Sequence, residues 1–179
     1  LSIMLVNNPR IVTGGLVWCL DAADSQSYPG SGTIAYDLVG SSNGTLTNGV
    51  GFSSDNGGSW NFDGSDDTIL TSFTLPADNK TLEFWVKYDT LSSAGGGGYS
   101  LMGVQESNAY LYSGVQASDG SGYSYAGNTG GPYSFTFSAG TWYHVATVMD
   151  SGTTRHYVNN TQVATTAYSY AGASTIGVS

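Results

Sequence analysis

A single cysteine, Cys19, stands in the 179 residues. That excludes an intrachain disulfide, so the fold cannot depend on an oxidising compartment. Cys19 falls in an apolar run with no histidine or cation close to it in sequence, the setting of a small buried hydrophobe rather than a reactive thiol. Positive charge is scarce: 4 Lys and Arg face 13 Asp and Glu, a net charge of -9. Such a surface repels phosphate backbones and excludes nucleic-acid binding except through a partner. Charge of either sign is thin, at 9% of residues, too little for a disordered acidic tail. The 40% hydrophobic and 13% aromatic content can fill a core. Long apolar runs are missing too. No stretch approaches the ~18 residues of a membrane span, and residues 1–6 are too short and lack the basic region of a signal peptide. Helical periodicity is absent, since no window keeps an apolar 3.6-residue repeat for long.

What is present is a succession of short alternating runs between Gly, Asn, Ser and Asp clusters, the pattern of one antiparallel all-β domain. The clearest strand runs over 81–89, with Leu82, Phe84, Val86 and Tyr88 on one face and Glu83, Trp85 and Lys87 on the other. A second covers 142–149 and leads through Asp150-Ser151-Gly152 into a strand ending at Asn159. Asn159-Asn160 then reads as a tight hairpin turn, because Asn tolerates positive φ. Residues 15–20 form an apolar strand-like run closed by Asp21 and Asp24, whose expected work is in turns. Trp18, Trp60 and Trp142 are expected in the core. Residues 92–98 and 119–131 are Gly-rich and are expected as surface loops, the second carrying Tyr123 and Tyr125. Residues 1–14 read as an arm separated from the domain by Gly14-Gly15.

The order of these segments carries a resemblance. Gly-Leu-Val-Trp-Cys-Leu-Asp-Ala-Ala from Gly15, Tyr28-Pro29-Gly30, Trp60-Asn61-Phe62-Asp63-Gly64, the Leu82-Glu83-Phe84-Trp85-Val86-Lys87 strand, Trp142-Tyr143-His144-Val145-Ala146 and the hairpin around Asn159-Asn160 together resemble the laminin-G-like, concanavalin-A-like lectin/glucanase jelly rolls. The closest flavour is that of domains on tailed-bacteriophage virion proteins. The resemblance implies a two-sheet antiparallel jelly roll over 15–179. It also implies a return strand beyond Ser179, and hence a natural chain that continues. For function it implies a non-enzymatic virion surface protein, a capsid decoration or fibre component. Such a protein would fold in a host cytoplasm and bind other virion proteins, copies of itself or glycans. The arm, at Pro9, Arg10, Ile11 and Val12, would be its tether. A secreted or cell-surface carbohydrate-binding module is the alternative reading, and a glycoside hydrolase a third.

The candidate chemistry is sparse. Glycoside hydrolysis with retention needs a nucleophile and an acid/base carboxylate about 5–5.5 Å apart. The chain has only two glutamates, Glu83 and Glu106, in different segments, and lacks the E-x-D-x-x-E run of laminarinase-type relatives. No catalytic residue is therefore assigned. His144 and His156 sit in strand patterns and read as structural. Trp85, Tyr110, Tyr112, Tyr123 and Tyr125 are the candidate ligand contacts, since sugars stack on aromatic faces. A strand tryptophan that packs, and loop tyrosines that touch a neighbouring subunit, are the competing readings. Asp63, Asp66 and Asp67 put three carboxylates in five residues. They read either as a site for Ca²⁺, which takes oxygen ligands, or as an acidic turn satisfied by its own backbone. No cofactor is required by any of these readings.

Overall fold

A computed structural model describes residues 13–76, 79–91, 99–106, 109–115, 120–127, 129–167 and 175–178. The proposed tether, Pro9 to Val12, and the Gly-rich segment 92–98 lie outside the described residues. The strands, in chain order, are β1 (Ile34–Ala35), β2 (Gly44–Thr47), β3 (Gly51–Ser53), β4 (Ser59–Asn61), β5 (Thr68–Thr74), β6 (Lys80–Lys87), β7 (Tyr99–Glu106), β8 (Ala109–Val115), β9 (Ser121–Gly127), β10 (Thr129–Thr136), β11 (Trp142–Asp150), β12 (Thr153–Val158), β13 (Thr161–Thr166) and β14 (Thr175–Val178). Among the described residues the helical content is one 3₁₀ turn, Asp55–Gly57, and no helix is long and apolar enough to cross a membrane.

Two main sheets form an all-β jelly-roll sandwich, as expected. The larger has the order β1-β2-β5-β14-β7-β8-β9-β10, the smaller β13-β12-β11-β6, and β3 and β4 make a separate ribbon. Each pairing is antiparallel. Along β11 the burial alternates strictly: Tyr143, Val145, Thr147 and Met149 face inward, and Trp142, His144, Ala146 and Val148 face outward. β6 repeats the pattern, with Val86 inward and Trp85 outward. The Asn159-Asn160 turn forms as expected, with φ of 47° and 66°. Both central residues are thus left-handed, the geometry that joins two strands with the right twist.

Aromatic rings fill the space between the smaller sheet and β10. Phe137 and Tyr143 meet edge to face at 5.0 Å and 85°, and Phe135 and Tyr88 close on Phe137 at 5.1 and 5.5 Å. These rings sit with Val145, Val158 and Val163 in one cluster. A second cluster gathers Tyr28, Ala35, Leu46 and Ile69, with Leu20, Phe52 and Trp60 against it. The Tyr28-Pro29-Gly30 turn therefore supplies a core residue: Tyr28 is 4% exposed, and its hydroxyl donates to the Gly32 carbonyl at 2.9 Å.

Three sequence expectations are corrected. Residues 15–20 are not a strand. The Asp37 carboxylate takes the Cys19 N–H at 3.1 Å, and the Cys19 carbonyl accepts from the Leu38 N–H at 2.9 Å. A side chain thus replaces the ladder partner that a strand needs. Asp21 and Asp24 do act in turns, accepting from the Ala23 and Gln26 N–H groups. Residues 121–127 and 129–131 are strand rather than loop. Glycine is used there for close approach: a Cβ on Gly122 would collide with the Tyr133 ring. Trp18, Trp60 and Trp142 are half-buried rather than central. Trp18 stacks on Phe73 at 5.4 Å, Trp60 meets the edge of Tyr28 at 5.8 Å, and Trp142 lies on the outward face with Lys87 Nζ 5.9 Å above its ring.

Candidate functional site

Strand alternation and antiparallel register assemble one site on the outward face of the smaller sheet. β6 and β11 pair so that Trp85 lies opposite His144, Glu83 opposite Ala146 and Thr81 opposite Val148. β11 and β12 pair so that Ala146 lies opposite Tyr157 and Val148 opposite Arg155. Ala146 and Val148 are short, so the middle of the face is low, and the longer Glu83, His144, Tyr157 and Asn160 rise around it. The result is a shallow groove of about 280 Å³.

Trp85 is 67% exposed. Its ring is held rather than free, with the His144 imidazole 5.3 Å away at 50°. Glu83 Oε2 lies 3.6 Å from His144 Nε2, and both side chains remain open to solvent. Across the groove the Tyr157 hydroxyl donates to Gln162 Oε1 at 3.3 Å, and Gln162 Nε2 donates to Thr165 Oγ1 at 2.9 Å. Lys87, at the end of the same face, is paired with Asp89 at 3.2 Å. The face thus offers an aromatic plane, a carboxylate, an imidazole and amide groups, carried by the strands and by the hairpin turn at Asn160.

Of the candidate ligand contacts, Trp85 stands beside this groove, against the His144 ring that lines it. Tyr110, Tyr112, Tyr123 and Tyr125 belong to the larger sheet. They occupy strand positions in β8 and β9 rather than loop tips, with Tyr112 opposite Tyr125 and Gly114 opposite Tyr123. Trp85 and these tyrosines are therefore in different layers. His144, Glu83, Tyr157 and Asn160 were not singled out as ligand contacts from the sequence. The available signal was the outward parity of Glu83 with Trp85, but the partners of that face depend on which strand lies alongside.

His156 is the structural histidine. It is fully buried, its Nδ1 lies 2.9 Å from Thr147 Oγ1 and 3.5 Å from the Tyr133 hydroxyl, and burial lowers its pKa to about 4. Cys19 is half-buried. Burial, and then the carboxylates of Asp21 and Asp37, push its thiol pKa up, away from reactive thiolate character.

The three aspartates come together at the opposite layer, in the link from β4 to β5. An oxygen from each of Asp63, Asp66 and Asp67 lies within 4.8 Å of the others. Asp67 Oδ2 accepts the Asp63 N–H at 3.0 Å, and Asp63 Oδ1 accepts the Ser65 N–H at 2.8 Å. The backbone thus satisfies part of this turn. The neighbouring Asn48-Gly49 turn packs on it, with Asn48 Nδ2 donating to the Asp66 carbonyl at 2.7 Å. Asp67 Oδ1 is buried and has no hydrogen-bond donor among the described residues.

Comparison with known proteins follows the same architecture. Domain 4 of AbnA, a GH43 extracellular arabinanase from Geobacillus stearothermophilus solved in complex with arabinotriose, superposes with a TM-score of 0.59 at 18% identity, over 79% of this chain and 76% of that one. Trypanosoma rangeli sialidase gives 0.66 at 15% identity over 93% of this chain, which spans only 27% of the sialidase. The carbohydrate-binding module CBM66 from Bacillus subtilis gives 0.47 at 16% identity over 75% of this chain and 86% of that one. At these identities the likeness to the arabinanase domain and the sialidase is one of fold. No curated protein matches the chain in sequence. The family Laminin_G_3, described as the concanavalin A-like lectin/glucanases superfamily, matches residues 62–177. With well over half of its length inside that match, the chain belongs to the concanavalin A-like lectin/glucanases superfamily as a Laminin_G_3 domain.

Proposed function

We propose that this chain is a non-catalytic saccharide-binding domain that uses the outward face of the four-stranded sheet. The observation that carries this reading is Trp85, a large aromatic plane left 67% exposed in mid-strand. Folding gains nothing from that exposure, whereas a sugar ring stacks on such a plane. The groove beside it, at about 280 Å³, falls below the ~300–1,000 Å³ of enclosed small-molecule pockets. It suits a short stretch of saccharide lying on the sheet, its hydroxyls within reach of Glu83, His144, Tyr157 and Asn160. Membership of a superfamily described by its lectins and glucanases supports a saccharide as the ligand.

The disposition of carboxylates favours binding over hydrolysis. Glu83 faces Ala146. The next carboxylate on that face of β11, Asp150, lies four residues further along, roughly 13 Å by strand rise. A hydrolytic pair needs about 5–9.5 Å. A screen of the purified chain on a glycan array, followed by calorimetry and a reducing-sugar assay, tests the reading. Saturable binding without sugar release is the expected result, and release of reducing ends would overturn the non-catalytic part.

The setting we propose is a virion surface, with other virion proteins or copies of the chain as neighbours. The support is the sequence from Gly15 to Gly30, which resembles the opening of tailed-bacteriophage virion domains. A secreted carbohydrate-binding module is the alternative setting. Immunogold labelling separates the two: decoration of particles favours the first, and label confined to secreted or cell-surface material the second.

A further inference from the structure

We infer that Trp142 is a second stacking plane beside Trp85, and that the four-stranded sheet therefore takes a linear, uncharged oligosaccharide of several sugar units. The inference rests on the saccharide reading of the groove and extends it along the same face. The β6–β11 register puts Trp85 opposite His144 and Lys87 opposite Trp142. Trp85 and Trp142 are thus diagonal neighbours on adjacent strands, about 7–8 Å apart, a spacing within reach of aromatic side chains. His144 joins the two. It shares the outward face of β11 with Trp142, and its ring centroid lies 5.3 Å from that of Trp85.

Trp142 is half-buried and carries a cover that Trp85 lacks. Lys87 Nζ stands over its ring, 5.9 Å from the centroid. The same ammonium is paired with Asp89 at 3.2 Å, and the two side chains are 35% and 80% exposed. An ammonium so open to solvent holds a ring or a carboxylate only weakly. Its four-carbon stem is flexible. The ammonium can therefore leave the ring while keeping Asp89 as its partner, and the plane beneath is then free. Lys87 is in this sense a loose latch over the second plane.

Geometry sets the length of the ligand. From Trp142 to Val148, which lines the groove, β11 runs about 20 Å by strand rise. That is more than one or two sugar rings cover. Trp85 is open and Trp142 is latched, so a short saccharide is held at Trp85 and the groove alone. A longer one, once anchored there, presents its next rings to Trp142 at high effective concentration and displaces the ammonium. Charge sets the class. A net charge of -9 disfavours a polyanionic chain, whereas two aromatic planes suit the apolar faces of neutral sugar rings.

The full chain is titrated calorimetrically with cello-, xylo-, laminari- and manno-oligosaccharides of two, four and six units. The Trp85→Ala, Trp142→Ala and Lys87→Ala variants are titrated with the same series. For at least one series, affinity should rise by at least about ten-fold from disaccharide to hexasaccharide. Trp142→Ala should abolish that rise and leave disaccharide affinity within about two-fold, as for a site the short ligand does not reach. Retained disaccharide binding also shows that this variant is folded. Lys87→Ala keeps Trp142 in place and uncovers its ring, so hexasaccharide affinity should rise by about three-fold, the worth of an exposed cation–π contact. Trp85→Ala should weaken binding at every length. Affinity that does not grow with length, or growth that survives Trp142→Ala, would overturn the second plane, while Trp85-dependent disaccharide binding would leave the groove standing. Absence of binding in all four series would overturn the second plane and the saccharide reading together.

Discussion

Trp85 and His144 face each other across the β6–β11 ladder, with ring centroids 5.3 Å apart and planes at 50°. Neither ring is in the core, so the pair orients a surface rather than stabilising an interior. The distinction can be measured, because ligand binding and folding then respond differently to the same substitution.

Trp85→Ala should leave the unfolding free energy within about 0.5 kcal/mol of the unsubstituted protein, as for other exposed positions. Saccharide affinity should fall by at least about ten-fold, the equivalent of ~1.4 kcal/mol. Urea denaturation and calorimetry on the same sample read the two quantities. A variant that binds normally would remove the groove from the account.

The buried imidazole of His156 predicts a pH dependence of stability. Its pKa lies near 4 in the folded chain, below the ~6.5 of an unfolded histidine. The unfolded state therefore binds the extra proton first as pH falls. The contribution is fully present above about pH 6.5 and is lost progressively towards pH 4, by roughly 3 kcal/mol across that window. Denaturation midpoints measured over this range should fall with pH, and His156→Phe should flatten the part of the slope above the carboxylate range. An unchanged slope in the variant would refute the assignment.

Gly44 marks where the irregular opening segment meets the larger sheet. A Cβ there would stand 2.6 Å from Ile69 Cγ2 and 2.9 Å from Leu20 Cδ1. Ile69 belongs to the second core cluster and Leu20 packs against it. Gly44→Ala should destabilise the protein by about 1–3 kcal/mol through overpacking, read as a lower urea midpoint with an unchanged slope. A neutral effect would mean that Leu20 is free to move, and that the opening segment is not locked to the sheet.

The sequence by itself determined the class of structure and several of its details. Strict alternation in 81–89 and 142–149 fixes strands whose faces can be read directly, because the side-chain period of a strand is two. Asn159-Asn160 fixes a hairpin, because few other residues tolerate two successive left-handed conformations. Aspartates 21 and 24 declare turns. The Gly-rich tyrosine segment misled because glycine marks two opposite needs, freedom in a loop and close approach in a strand. The Tyr133 ring against Gly122 shows which need applies there. The opening run misled for a similar reason: its apolar residues are spaced as in a strand, but its hydrogen-bond partner is the side chain of Asp37. What only the tertiary structure decided is register and proximity. The β6–β11–β12 ladder sets Trp85 beside His144 and puts Ala146 between Glu83 and Tyr157. The turn after β4 gathers three aspartates and leaves one buried oxygen without a donor among the described residues. Local sequence sets which way a side chain points; which distant residue it meets is set by long-range pairing, and both candidate sites depend on that meeting.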